Sequence, residues 1–514
     1  MQRKYLPFLV FISLFLTLVC CGQVAKAQEQ GQALPPAPDS NDIVVYELKP
    51  VPPLPTSQEE SPPANTGNNG AGQDQESNIE VVPVEPGRQD ASPQSQAQNL
   101  EPYTYARVLF LGDIMVHGQQ LRAAKREDGS YDFHPQFANI KPLLRRAMVI
   151  GNLETTLSGP ESGFTGYPAF NTPDALAEAL KDLGVSIVTL ANNHMMDRST
   201  EGARRTTEVL DSLGIIWTGV SNELIPPYQP LLLEYDDIKW ALVNFTYGSN
   251  AAIKKDPEQP LDLNILSEET LLKGLEMARQ QNPDVLVCLM HFGEEYRITP
   301  NSYQNKYVDL ALENGADIVI GTHPHVLQPI KIVPSDKGYA VVAYSLGNFI
   351  SNQRTRPRER SAILAVEFEK LEDGPRLKRV SVAPIYVYSS CGKGSRECRI
   401  ELYYGQGEIP QGPLISGQPV SSEPEYQSLY LYQEQDPEEP PKNEAPPLPA
   451  ENPPENSQQA ENSLPLRELN RIQETGQTVL DFLGATGEKD RFGFFTLWDA
   501  DEPEKLPVGT RKTP

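Results

Sequence analysis

Cysteine, histidine and tryptophan are all scarce in this chain of 514 residues, at five, six and three. No cysteine spacing of the zinc-binding kind occurs, which excludes a structural thiolate metal site. Positive charge is also short: 44 Lys and Arg stand against 69 Asp and Glu, a net charge of −25. A protein that wraps a phosphate backbone neutralises it with Lys and Arg, so nucleic acid is excluded as a partner. Long apolar runs are missing too, apart from "LPFLVFISLFLTLVCC" behind Arg3 and Lys4. That run is too short and too terminal for a membrane span.

It has instead the n-region and h-region of a secretory signal. The small residues of "AKA" at 25–27 offer a cleavage site, so residues 1–27 are expected to be a signal peptide. A second reading stays open. Leu18, three before Cys21 in "LVCCG", loosely fits a bacterial lipobox and would anchor the chain by a lipid at Cys21. Both readings place the rest outside the cytoplasm, as a secreted, periplasmic or cell-surface protein, with membrane association through the N-terminus. Of the other cysteines, Cys288 in "DVLVCLMHF" reads as a buried core thiol. Cys391 and Cys398, in "CGKGSREC", are close enough to close a small disulfide loop in an oxidising compartment.

Proline, by contrast, is plentiful, at 48. It concentrates in two segments rich in Gln, Glu, Ser and Asn, at 28–103 and 401–462. Such stretches bury too little apolar surface to offset their ordering entropy. They are expected to be a disordered stalk and an acidic spacer. The tail, 463–514, carries one amphipathic helical pattern over Leu464–Leu483 and an aromatic stretch, "RFGFFTLW", expected to dock on the core.

Between the spacers, over 104–400, strand-length apolar runs alternate with helical patterns. "ARVLFLG", "MVIGN", "VSIVTLA", "DVLVCLM" and "DIVIG" read as strands. Helical patterns fall near 135–147, in "PDALAEALKDLG", in "EGARRTTEVLDSLG" and at 302–314. "QPLLLEY" and "KWALVNFTY" read as a hairpin about Asp236-Asp237. Continuous apolar strands alternating with helices predict an α/β fold with its sheet covered on both faces.

The residues that follow each strand are metal-competent. Asp113 follows "VLFLG", Glu154 follows "VIGN", and Asn192, Asn193 and His194 follow "VTLA". His291 follows "VCLM", and His323 and His325 follow "VIGT". Ligands of open α/β sheets bind at the carboxyl ends of strands. One such histidine would be an ordinary loop residue; this many at successive strand ends, closing on His-x-His, point to a metal. Imidazole, carboxylate and amide oxygen without thiolate suit Zn, Mn, Fe or Ni. Such a set can activate water and neutralise charge on a phosphoryl or acyl oxygen. Spacing leaves open whether one ion or two are held. After "SLGNFI", the run "SNQRTRPRER" brings Arg354, Arg356, Arg358 and Arg360 together. These are candidates for an anion-binding rim, against the plainer reading of a solvated loop.

Six motifs occur in order: "FLGDIMVHG", "GNLETTLSG", "TLANNHMMDRSTEGARRTTEVLDSLGI", "MHFGEEY", "IVIGTHPHVLQPI" and "YSLGNFI". Over about 105–388 the chain resembles the CapA family of capsule or poly-γ-glutamate synthesis proteins, within the calcineurin-like metallophosphoesterase superfamily. The resemblance implies a four-layer α/β/β/α sandwich. It implies Asp113, Glu154, Asn193, His291, His323 and His325 as metal ligands, His194 as general acid, and one or two divalent ions of Mn, Zn or Fe. One departure stands out: the superfamily's first motif is Asp-x-His, and this chain has Met115 two after Asp113. His117 lies nearby at the wrong spacing and reads as a loop residue.

Three functions follow as expectations. The first is an exported metal-dependent hydrolase or phosphoesterase of capsule or envelope polymer synthesis, acting on an anionic polymer or a phosphorylated envelope substrate. The second is a non-catalytic envelope protein that binds or guides an anionic polymer. The third is a general secreted phosphatase.

Overall fold

The computed structural model describes residues 45–48, 105–253, 260–389, 398–403, 466–483, 485 and 494–501. The expected signal peptide, most of the stalk and spacer, and Cys391 lie outside the described residues.

Among the described residues, eighteen strands, numbered in chain order, form two large sheets and one small pair. The first large sheet contains β2 (Tyr105–Ile114), β3 (Met148–Leu153), β4 (Ile187–Thr189) and β5 (Ile216–Thr218), all parallel. On the other side of β2 the sheet turns antiparallel through β15 (Ser361–Leu371), β16 (Gly374–Ser389) and β17 (Cys398–Leu402). Two more strands join it: β14 (Asn348–Ile350) pairs with β2, and β18 (Phe495–Asp499) pairs with β16. The second large sheet runs β1 (Val45–Leu48), β7 (Leu231–Tyr235), β8 (Ile238–Thr246), β10 (Val285–His291), β11 (Ile318–Thr322), β13 (Gly338–Ala343) and β12 (Ile330–Ser335). The small pair is β6 (Val220–Ser221) with β9 (Asp262–Leu263).

The alternation of side chains along each strand explains how the sheets stack. In β2, Ala106, Val108 and Phe110 join a core shared with the second sheet, where they meet Trp240, Leu242, Val287 and Ile320. Leu109 and Leu111 point the other way, into a cluster with helices 175–183 and 199–213. In β10, Leu286, Cys288 and Met290 pack under helices 268–279 and 302–313. Continuous apolar strands therefore arise because every face is covered. The cover is a second sheet on one side and helices on the other. The architecture is the four-layer α/β/β/α sandwich, not a single sheet with helices on both faces.

Several local expectations hold. The hairpin β7–β8 turns at Asp236 and Asp237, whose φ values of 55° and 58° are those of a two-residue type I′ turn. The helices Ala175–Leu183 and Ser199–Leu213 end at Gly184 and Gly214, both left-handed, as their sequences predict. Near 135–147 the chain makes two short turns, His134–Phe137 and Lys141–Leu144, instead of one helix; Pro135 and Pro142 each stand in a first turn. The stalk contains one paired segment: β1 lies parallel to β7. The tail contributes the helix Leu466–Leu483, and β18 carries the aromatic stretch onto β16.

Candidate metal centre

The carboxyl ends of the parallel strands of both sheets meet at one edge of the sandwich. From the first sheet come Asp113, Glu154, Asn193 and His194; from the second come His291, His323 and His325. Gly112 permits the approach that sets Asp113. A Cβ there would lie 1.9 Å from the Gly347 carbonyl oxygen, and the Asp113 N–H donates to that same oxygen at 3.0 Å.

The donors converge in a buried space. Asp113, Glu154 and His325 offer ligand atoms within 4.8 Å of one another, as do Glu154, His291 and His323. All five are buried. His325 Nδ1 lies 3.0 Å from Asp113 Oδ2, and its Nε2 lies 3.8 Å from Glu154 Oε1. His291 Nε2 faces the same oxygen at 3.7 Å and Asn193 Oδ1 at 2.8 Å. Its Nδ1 is turned away, to Thr322 Oγ1 at 2.9 Å. His323 and His325 are not on extended backbone: their φ values are 97° and 57°. Such conformations cost about 1–3 kcal/mol each and persist where surroundings enforce them. Here they bring both rings into the cluster, with centroids 5.8 Å apart.

Two polar atoms in this space are buried without a hydrogen-bond partner: Glu154 Oε1 and His323 Nδ1. Burial, then the neighbouring Asp113 carboxylate, raises the Glu154 carboxyl well above its usual range. Burial and the other imidazoles hold His291 well below the ordinary histidine value, and burial takes His323 to about 4. At neutral pH these imidazoles are uncharged and offer lone pairs. Crowded carboxylate oxygens beside neutral imidazoles, with atoms left unpaired, fit a divalent cation.

His194 stands beside the donors without belonging to those groups. Its Nδ1 lies 2.7 Å from Asp197 Oδ2, which also accepts the Phe170 N–H. Its Nε2 lies 3.4 Å from Asn250 Nδ2. Phe170 packs edge-on between His194 and His117, with centroids at 4.8 and 5.2 Å. His117 opens the helix Gly118–Ala124 and accepts the Asn352 N–H at Nδ1.

Residues 107–353 are of the CapA family. The profile described as bacterial capsule synthesis protein PGA_cap matches residues 107–353, the stretch that carries every donor named above. The chain is similar to the capsule biosynthesis protein CapA of Bacillus anthracis, at 26% identity over 55% of this chain and 68% of the relative. It is also similar to the PGA biosynthesis protein CapA of Bacillus subtilis, at 27% over 55% of this chain and 71% of the relative. An uncharacterised protein of Sinorhizobium fredii, y4sH, is 31% identical over 44% of this chain and 63% of its own. Among solved structures, sulfate thiohydrolase SoxB of Thermus thermophilus in complex with glycerol covers 55% of this chain and 57% of its own. Its identity is 15% and its TM-score 0.31, a likeness too low to weigh.

The four arginines do not form one rim. Arg354 donates to the Ser389 carbonyl, and Arg356 pairs with Glu359 and Glu474. Arg360 is half-buried, with no link to the donors described above. Arg358 alone leans toward the centre, its guanidinium 3.6 Å from the centroid of Tyr296, whose ring lies 6.2 Å from that of His325. Some residues at the site are not evident from the sequence. Asn152 donates to Asp113 Oδ1 at 2.8 Å and accepts from Thr189 and Asn192. Tyr247 lies against His323, with centroids 4.6 Å apart. Asn152 sits inside a strand and gives no local signal. Asp197, three residues after His194, carried one: a carboxylate spaced to meet a histidine.

Proposed function

We propose that this chain is an exported, metal-dependent hydrolase of the phosphoesterase kind. Its substrate would be an anionic capsule or envelope polymer, of the poly-γ-glutamate type, or a phosphorylated precursor of one. The observation that carries this reading is the pair of orphaned buried atoms, Glu154 Oε1 and His323 Nδ1, inside a cluster of neutral imidazoles and carboxylates. The names of the two Bacillus relatives support the polymer class.

Asp113, Glu154, Asn193, His291, His323 and His325 would hold one or two divalent ions. Bound there, the metal supplies Lewis acidity toward a phosphoryl or acyl oxygen and a water acidic enough to react near neutral pH. The remaining work falls to the chain. Asp197 fixes the orientation and tautomer of His194 through Nδ1, leaving Nε2 to give or take the proton of the departing or attacking group. Arg358 forms no ion pair among the described residues, and its planar fork suits carboxylate or phosphate. It would steer an anionic substrate to the mouth of the site. Phe170, wholly buried against His194, excludes water from that flank.

One observation favours the second reading, a polymer-binding protein without turnover. Met115, which is buried, stands in the sequence where the superfamily resemblance expects a histidine donor, and Asp113, Glu154 and His325 form a group of three donors. The test is turnover by the manganese-loaded full chain on phosphomonoesters, phosphodiesters and poly-γ-glutamate, beside His194→Ala. Hydrolysis that needs metal and is lost in H194A supports the enzyme. Metal bound with no turnover on any of these contradicts it and leaves the binding role. Hydrolysis of simple phosphomonoesters alone would make the protein a general secreted phosphatase.

A further inference from the structure

A third group of ligand atoms meets at the solvent side of the cluster. Glu295, His323 and His325 lie within 4.8 Å of one another, and Glu295 is the one exposed member among all the donors. It lies in the segment after β10, in "HFGEEY", four residues past His291. It falls inside the motif "MHFGEEY" but not at a strand end, so the strand-end pattern does not point to it.

That segment is held, not draped. The Phe292 N–H donates to the Thr322 carbonyl at 3.0 Å and the Tyr296 N–H to the Pro324 carbonyl at 2.7 Å. The Arg297 carbonyl accepts from Gln328 at 2.7 Å. Gly293, at φ 107°, leaves no room for a Cβ, which would fall 2.6 Å from the Gln304 side chain. Tyr296 sits at φ 66°. The hydrogen bonds tie the segment to the one bearing His323 and His325, on both sides of Glu295. Preorganised donors on fixed backbone are what a metal position requires. The unpartnered His323 Nδ1, in a residue only 4% exposed, is an independent sign that this space takes a ligand.

We propose that Glu295 is a metal ligand of the centre, closing on its solvent side the cation position to which His323 and His325 contribute. This rests on the metal-centre reading above. The buried donors supply two carboxyl groups, Asp113 and Glu154, and Glu295 would supply a third. Being exposed, it is the ligand that can yield its place to an incoming anion. The ion it holds would therefore be the more exchangeable one. Arg358, over the neighbouring Tyr296, stands where that anion arrives.

Manganese binding to the full chain tests this, by titration calorimetry and by metal content after dialysis against limiting manganese. The variants are Glu295→Gln, Glu295→Asp and, as a neighbouring control, Glu294→Gln, which removes only an exposed pairing with Arg297. E295Q is expected to weaken manganese at one position at least tenfold. E295D should recover part of that affinity, and E294Q should bind like the unaltered chain. Thermal unfolding in chelator should be the same for all, which separates lost ligation from lost folding. Equal affinity and stoichiometry in E295Q would overturn the role of Glu295 and leave the centre standing. An unaltered chain that binds no manganese would overturn both.

Discussion

Asp197 accepts from the Phe170 backbone and faces His194 through the same oxygen, so its carboxylate fixes a ring that no other described side chain orients at Nδ1. Asp197→Asn keeps the shape and reverses the preferred tautomer of His194. It should lower kcat roughly 10²-fold or more, in the range of a lost general acid–base, while KM and manganese content change little. A steady-state assay with parallel metal analysis checks this. His117 gives a prediction in pH. Burial, then its histidine neighbours His325 and His194, lowers it to about 4, and its Nδ1 must stay unprotonated to accept from Asn352. The folded state thus prefers neutral imidazole. The stability this confers is complete above about pH 6.5 and is lost as pH falls toward 4. At about 1.4 kcal/mol per pKa unit, the unaltered chain should lose roughly 3 kcal/mol more than His117→Gln over that window. Urea unfolding at stepped pH measures the difference; parallel curves would contradict it. At this scale, the residues legible in the sequence were those placed directly after apolar strands, such as Asp113, Glu154 and His291. Asn152 and Glu295 were not, because their partners are distant in the chain and only the fold brings them together.

Elements were legible where one segment carries its own pattern. Ala175–Leu183 and Ser302–Glu313 show helical stripes with stops, and β7–β8 shows its turn. The long hairpin β15–β16 gave no such cue: its residues answer to β2 on one side and to β17 and β18 on the other. The helix Leu466–Leu483 shows why Arg356 is not at the site. Glu359, almost wholly buried, accepts from Arg356 and from Arg471 of that helix, and Glu474 of the helix returns a contact to Arg356. Arg356 and Glu359 thus clamp the tail, and charge alone could not distinguish a clamp from a rim. Arg471→Ala removes the helix's hydrogen bonds to a buried carboxylate, worth roughly 2 kcal/mol. It should lower the urea midpoint and speed protease cleavage within the helix Leu466–Leu483. An unchanged midpoint would show that the tail docks by apolar contact alone.

At the scale of the whole molecule, the donors divide between the two sheets. Asp113, Glu154 and Asn193 stand on one, and His291, His323 and His325 on the other. A bound ion would cross-link the sandwich at its open edge, so ligation and stability are coupled: ion at 100 times its Kd adds about 2.7 kcal/mol. With a net charge of −25, an anionic polymer of the proposed kind would be repelled at long range and held only locally, by a bound metal and Arg358. Its association should strengthen on moderate screening by salt and vanish in chelator, the reverse of binding driven by a basic surface. A filter-retention assay with poly-γ-glutamate across ionic strength checks this. The stacking of two sheets was legible only through the family resemblance. Continuous apolar strands say that both faces are covered, and they do not say by what.

The most direct measurement is manganese content by plasma mass spectrometry of the full chain after reconstitution and desalting, beside His323→Ala/His325→Ala. The account predicts about one or two equivalents in the unaltered chain, lost in the double variant, with a rise in thermal midpoint on loading that the variant lacks. No retained metal in the unaltered chain, or equal retention in the variant, would contradict it.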